Sequence, residues 1–222
     1  MATSAERFKN GDRPAPESGL IQSLTRRAKR TQHGFTDIQQ AAEEVYTTHS
    51  LAETMEVARA LYASKAHQAR MLATFLFGML AARSKESLAY LHLRVSQDED
   101  WRVQEILAKA FDQFCREVGY DRALPVIRDW LADTNPNTRR AVTEGLRIWT
   151  ARPYFDEHPQ IAIQLLSPLR ADTSDYVRRS VGNALRDISR THRDLVKAEL
   201  KGWDLTDRHV LQVHKLASRL LK

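Results

Sequence analysis

The sequence predicts an all-α fold, a curved αα-superhelix of stacked helix pairs, and three observations predict it. From about Gly19 onward apolar residues recur at i, i+3, i+4 and i+7 in blocks of 10 to 18 residues, and no stretch sustains the alternation of a strand. Ser, Asp, Thr or Asn precedes many of these blocks, as an N-cap would. A pattern also repeats in the second half of the chain, at intervals of 35 and 39 residues.

Taken in order, residues 1–18 are polar and rich in Pro, Gly and charge. They offer too little apolar surface to offset the entropy of ordering, so a flexible tail is expected, followed by one domain over residues 19–222. Roughly a dozen helices joined by short loops then follow, among them "SLAETMEVARALYAS", "KAHQARMLATFLFGMLAAR", "SKESLAYLHLRVSQD", "YDRALPVIRDWLAD" and "HPQIAIQLLSPLRAD". Pro125 and Pro168 predict a kink or an early stop in the last two. Pro136 falls where a first-turn proline is tolerated.

The repeat appears when "QDEDWRVQEILAKAF", "ADTNPNTRRAVTEGL" and "ADTSDYVRRSVGNAL" are placed beneath each other, with Asp98, Asp133 and Asp172 in register. A helix pair of this period, with an Asp before its second helix, resembles a HEAT-like repeat. Stacked pairs of that kind bury a continuous core that one pair could not.

That register makes Glu105, Arg140 and Arg179 equivalent, then Lys109, Glu144 and Asn183, then Asp112, Arg147 and Arg186. Each set lies opposite the apolar stripe, which on the middle helix is Val142, Leu146 and Trp149. If the second helices stack side by side, these polar sets form one wall carrying guanidinium groups and carboxylates. A soluble helix face accounts for the same spacing without any function. Against that, the pairs Arg139–Arg140 and Arg178–Arg179 sit in first turns, where the helix dipole disfavours cations unless an anion is near; phosphate is the obvious anion.

Composition narrows the chemistry. The 222 residues carry a formal net charge of +6, which favours a polyanionic partner without identifying one. Cys115 is the single cysteine and falls in an apolar-periodic run, so a disulfide framework is excluded and a small core residue in a reducing, cytoplasmic protein is expected. No apolar run approaches the length of a membrane span, and the N-terminus lacks a secretory apolar segment. The histidines are scattered; His209 and His214 lack companion ligands, so no metal site is expected. No GxGxxG or GxxxxGK loop points to a nucleotide cofactor, and no glycine-flanked serine or Cys/His pattern points to a covalent hydrolase. No cofactor is expected.

"DWRVQEILAKAFD", "NPNTRRAVTEGLR" with the nearby "RPYFDEHP", and "SDYVRRSVGNALRDISRTHRDLV" resemble the DNA alkylation repair family of HEAT-like DNA glycosylases, the AlkC-like branch more closely than the AlkD-like. The resemblance runs over about residues 50–205. It implies a protein that wraps double-stranded DNA and hydrolyses the N-glycosidic bond of alkylated, cationic bases such as 3-methyladenine or 3-methylcytosine. It implies no metal or nucleotide, and a monomer is expected. Carried over position by position, Trp101 would contact the damaged nucleotide and Glu105 would sit near the reacting carbon. Arg140, Glu144 and Arg147 match an AlkC-like cluster in which Glu144 is a second acidic candidate and the arginines grip phosphates. Asp187 matches a further acidic position, and Arg179 a phosphate contact. Asn183 stands where AlkD-like members carry a second tryptophan. Trp149 is a further DNA-contact candidate, although its helical phase points it toward the core. The alternatives are a catalytically silent DNA-binding relative and a protein-interaction scaffold.

Overall fold

The computed structural model describes residues 18–221, so the expected tail lies outside the described residues up to position 17. Among the described residues there are thirteen α-helices and no strand. The first five are α1 (Ser18–Lys29), α2 (Thr36–Thr48), α3 (Leu51–Tyr62), α4 (His67–Ala81) and α5 (Lys85–Leu93). The middle of the chain forms α6 (Trp101–Val118), α7 (Tyr120–Leu131), α8 (Pro136–Gly145) and α9 (Pro153–Glu157). The last four are α10 (Pro159–Leu166), α11 (Asp175–Ile188), α12 (Arg193–Lys201) and α13 (Arg208–Ala217).

Local chemistry sets the boundaries. Ser50 and Glu53 form a reciprocal capping box at the start of α3. The side chains of Asp100, Asn135 and Asp207 accept from backbone N–H groups in the first turns of α6, α8 and α13. Pro136 occupies the first turn of α8, where no intrahelical N–H is needed. The two interior prolines differ in effect. Helix α7 runs through Pro125, six residues into it, whereas α10 stops at Leu166 and the chain continues through Pro168 as a 3-10 turn.

The stack is a curved αα-superhelix of HEAT-like pairs. Helices α4, α6, α8, α11 and α13 pack successively as the inner layer. Helices α3 and α5 lean on α4, α7 on α6 and α8, and α10 and α12 on α11. The core is continuous from Leu24 to Ala217, and Cys115 lies within it, where burial holds its thiol pKa well above the ordinary value. Three interfaces of the inner layer leave no room for a side chain, at Gly78, Gly145 and, between α11 and α13, Gly182. A Cβ on Gly145 would stand 2.4 Å from the Ala108 carbonyl oxygen, and one on Gly78 would stand 2.7 Å from the Ala110 Cβ.

One expectation is corrected here. The segment 135–149 is not one helix carrying Val142, Leu146 and Trp149 on a common stripe: α8 ends at Gly145, and Trp149 begins a separate 3-10 turn. Arg152 explains the break, because its guanidinium donates to the carbonyls of Gly145 (3.0 Å) and Ile148 (2.8 Å) while gripping Asp112 of α6 (2.8 Å). The carbonyls at the end of α8 thus find a partner in a side chain, and no further turn is required.

The turns before the inner helices are tied by a ladder of arginines. Arg139 Nη1 donates to the carbonyls of Asp133 and Thr134, while Nε and Nη2 hold Asp172, which precedes α11. Arg178 repeats the carbonyl contacts one repeat later, and Arg70 repeats them earlier while holding Asp98. Truncating one partner leaves a buried charge unmatched. Arg139→Ala is therefore expected to destabilise the fold by about 3 kcal/mol, read from the urea midpoint at unchanged m-value.

Candidate nucleic-acid interface

The stacking brings the predicted polar sets of α6, α8 and α11 together. Arg140 on α8 is ion-paired with Glu105 on α6. Glu144, one turn further along α8, accepts from Arg147 (3.2 Å) and from the hydroxyl of Ser180 on α11 (2.8 Å). Arg147 also faces Asp187 on α11 at 3.6 Å, and Asp187 accepts from Arg186 at 3.0 Å with Arg190 at 3.7 Å. Three helices are thus cross-linked by alternating charge along one wall.

The candidate carboxylates are not equally accessible. The Glu105 side chain is 39% exposed and that of Glu144 about half as much, whereas that of Asp187 is only 8% exposed among its three arginines. Trp101, the first residue of α6 and one turn before Glu105, is 69% exposed. Arg102 stacks on its ring at 5.7 Å. Arg179 is exposed and paired with Asp175 at 2.7 Å, and Asn183 is half-buried one turn beyond it.

Beside Glu105 the wall opens into a cavity of about 350 Å³, lined by side chains of α2, α4, α6 and α8 and by Arg152. Lys109, Asp112 and Arg116 reach it from α6 and Glu144 from α8, above a floor that includes Phe75, Ala108 and Gly145. Lys109 rests over the Phe35 ring at 4.5 Å. At the cavity's edge Asp112 accepts from Tyr120 at 2.9 Å and from Arg152. Burial, then the Asp112 carboxylate, push the Tyr120 hydroxyl up to about 12, so it remains a donor at neutral pH.

Two expectations give way. Trp149 is 0% exposed and packed against Phe155 with ring centroids 4.9 Å apart, so its ring is a core side chain closed off from a DNA ligand. The paired first-turn arginines do not both await a phosphate either. Arg139 and Arg178 turn inward to the ladder, where Asp172 supplies the anion for Arg139 and Gln212 an acceptor for Arg178. Of those pairs, Arg140 crosses to Glu105 of α6, and Arg179 stays exposed on α11, paired with Asp175 of the same helix.

Sequence reasoning missed the Asp112–Tyr120–Arg152 network and the Ser180 bridge. A signal for the ladder was present: Gln104, Arg139 and Arg178 each follow their repeat aspartate by six residues, and each donates to that aspartate's carbonyl. Arg152 lies beyond the repeat register, and nothing in its spacing announces its partners.

Stacked helix pairs with a charged inner wall define a HEAT-like helical-repeat protein. The chain belongs to the DNA alkylation repair enzyme family, whose profile it matches over residues 33–217. The crystal structure of AlkD2 from Streptococcus mutans is 48% identical, covers 92% of this chain and 98% of its own, and superposes with a TM-score of 0.90. The alkylpurine DNA glycosylase AlkC of Pseudomonas fluorescens, solved bound to DNA containing an abasic site analog, shares the fold at 23% identity. Its TM-score is 0.50, with 91% of this chain and 62% of that one covered. The likeness to AlkC is thus more distant than that to AlkD2, the reverse of the order expected from the motifs. An uncharacterized Bacillus subtilis protein, YhaZ, is 35% identical over 96 residues, which span 41% of this chain and 27% of that relative.

The different surroundings of the tryptophans are testable by unfolding. Trp149→Ala is expected to cost about 3–5 kcal/mol by emptying a closed core site. Trp101→Ala is expected to stay within about 0.5 kcal/mol of the parent, since its ring is mostly in water.

Proposed function

We propose that this protein binds double-stranded DNA along the α6–α8–α11 wall and hydrolyses the N-glycosidic bond of an N-alkylated, cationic base such as 3-methyladenine or 3-methylcytosine. The observation that carries the reading is the position of Glu105: a partly exposed carboxylate beside a cavity, one turn from the exposed ring of Trp101, on a wall otherwise studded with guanidinium groups. A base that already bears positive charge leaves readily, and the charge that builds on the deoxyribose is what a fixed carboxylate stabilises. Glu105 fills that role, paired with Arg140 when no DNA is bound. Glu144 stands behind it as a second acid, and the buried Asp187 positions Arg147 and Arg186 rather than reaching a sugar. Arg140, Arg147 and Arg179 meet phosphates, and Asn183 lines the same wall. Water supplies the nucleophile, with neither metal nor nucleotide required.

A second reading is DNA binding without base release. It is favoured by the ion pair between Glu105 and Arg140, because a carboxylate already matched by a guanidinium has less field to offer an oxocarbenium ion.

Incubation with N-methylated duplex DNA and chromatography of the released bases separates the two. Catalysis through Glu105 predicts free alkylated base from the parent and a fall of about 100-fold in Glu105→Gln. Equal, background release from both selects the binding-only reading. Salt titration tests the phosphate contacts: Arg140→Ala is expected to flatten the slope of log K against log salt by about 0.9, whatever the DNA sequence. A loss confined to one sequence context would contradict that role.

A further inference from the structure

Two aromatic side chains are exposed among the described residues, Trp101 (69%) and Tyr176 (70%). Single exposed aliphatic residues are ordinary on any surface, but these two are not scattered. Trp101 is the first residue of α6 and Tyr176 the second of α11, the two inner helices that flank α8. The starts of all three helices are fastened along one edge. Asn135 and Asn137 at the head of α8 donate to the Ser96 carbonyl, just ahead of α6, at 3.1 and 2.9 Å. Arg139 in the first turn of α8 holds Asp172, ahead of α11, at 2.6 Å.

The two rings also share a face with the wall. Trp101 lies one turn before Glu105, which meets Arg140, and Tyr176 lies one turn before Ser180, which meets Glu144. A guanidinium stands near each in sequence: Arg102, paired with Asp100, lies over the Trp101 ring, and Arg179, paired with Asp175, follows Tyr176 by three residues. An aromatic face for the sugar or base and a cation for the adjoining phosphate are the two elements of a sequence-tolerant nucleic-acid contact.

We infer that Tyr176 is a second DNA-gripping aromatic, closing on the duplex on the opposite side of α8 from Trp101. This rests on the proposed DNA-binding reading of the wall. Neighbouring helices pack about 8–10 Å apart, so α6 and α11 stand roughly 16–20 Å apart across α8. At about 3.4 Å per base pair, that spacing separates the two grips by about five base pairs. The site facing α8 is then bracketed, with Glu144 on the helix between the two rings and Glu105 one turn from Trp101. Tyr176 is a positioning residue: it fixes the register of the duplex against the carboxylates and takes no part in bond cleavage.

The test is fluorescence anisotropy with an undamaged duplex over a salt series, combined with hydroxyl-radical footprinting, on the full chain and on Tyr176→Ala and Trp101→Ala. Tyr176→Ala is expected to weaken binding by roughly ten-fold. The salt slope should stay at the parent value, because the tyrosine carries no charge to release counterions. Protection should shorten at one end of the footprint in Tyr176→Ala and at the other end in Trp101→Ala. Unchanged affinity and footprint in Tyr176→Ala, with the parent binding DNA, would overturn this inference alone. A parent that leaves the duplex unprotected at low salt would overturn the DNA-binding reading of the wall as well.

Discussion

The arrangement depends on the buried arginines that join one inter-helix turn to the next. Arg139 satisfies the carbonyls of Asp133 and Thr134 and then reaches forward to both oxygens of Asp172. The same side chain therefore closes its own repeat and fixes the start of the following one. Arg70 does this between α4 and α6 through Asp98, and Arg178 between α11 and α13 through Gln212. Carbonyls in a tight turn have no helical partner, and leaving them unpaired inside a stack would be costly. A planar fork with five donors meets that need and still has a face left for a carboxylate. Because the joints are rigid, the heads of α6, α8 and α11 stay in line, and the polar faces behind them stay in one wall.

Close approach of the inner helices does the rest. At Gly145 and Gly78 the neighbouring helix occupies the space of a side chain, so α8 and α4 come against α6 at its small residues Ala108 and Ala110. That contact lets short and long polar groups bridge from helix to helix: Arg140 to Glu105, Ser180 to Glu144, Arg147 to Asp187. Arg152 secures the far end of the same interface by binding Asp112 and the last carbonyl of α8 together. The cavity beside Glu105 is the space left where α8 stops.

Much of this was legible in the sequence, for reasons that can be named. Helical periodicity and the equivalence of Asp98, Asp133 and Asp172 are local or regularly spaced signals, so the all-α stack and the shared face of Glu105, Arg140 and Glu144 follow from counting residues. Adjacent arginines were the harder case. Arg139 and Arg140 differ by 100° of helix rotation, and only that phase separates a buried joint from a surface cation. Spacing alone treats both as candidates for phosphate, while the partner that claims Arg139 lies 33 residues away. Trp149 shows the converse: its burial was expected from a helical stripe, yet it is reached through a 3-10 turn, because the early end of α8 depends on the distant Asp112–Arg152 pair. Tyr176 escaped notice because exposure is not written in a one-letter code.

The proposed binding of DNA requires a wall so fully ion-paired to release some of its arginines, and the division of arginines into two populations bears on that. Pairs with a partner in the joints are dry, and removing either member strands a charge. Pairs on the wall are wetter on the whole: the side chain of Arg147 is 44% exposed and Arg179 is more open still, whereas Arg140, at 19%, is no more open than Arg70 and has its exposure on the Glu105 side of the pair. Such surface pairs contribute only about 0–1 kcal/mol each, so a phosphate, with its released counterions, competes for these cations at little cost to the fold. Handing Arg140 from Glu105 to a phosphate would at the same time free the carboxylate to face the sugar. On the proposed reading the ion pair is a resting arrangement of the wall, and binding of a duplex would free the negative charge that glycosidic cleavage requires.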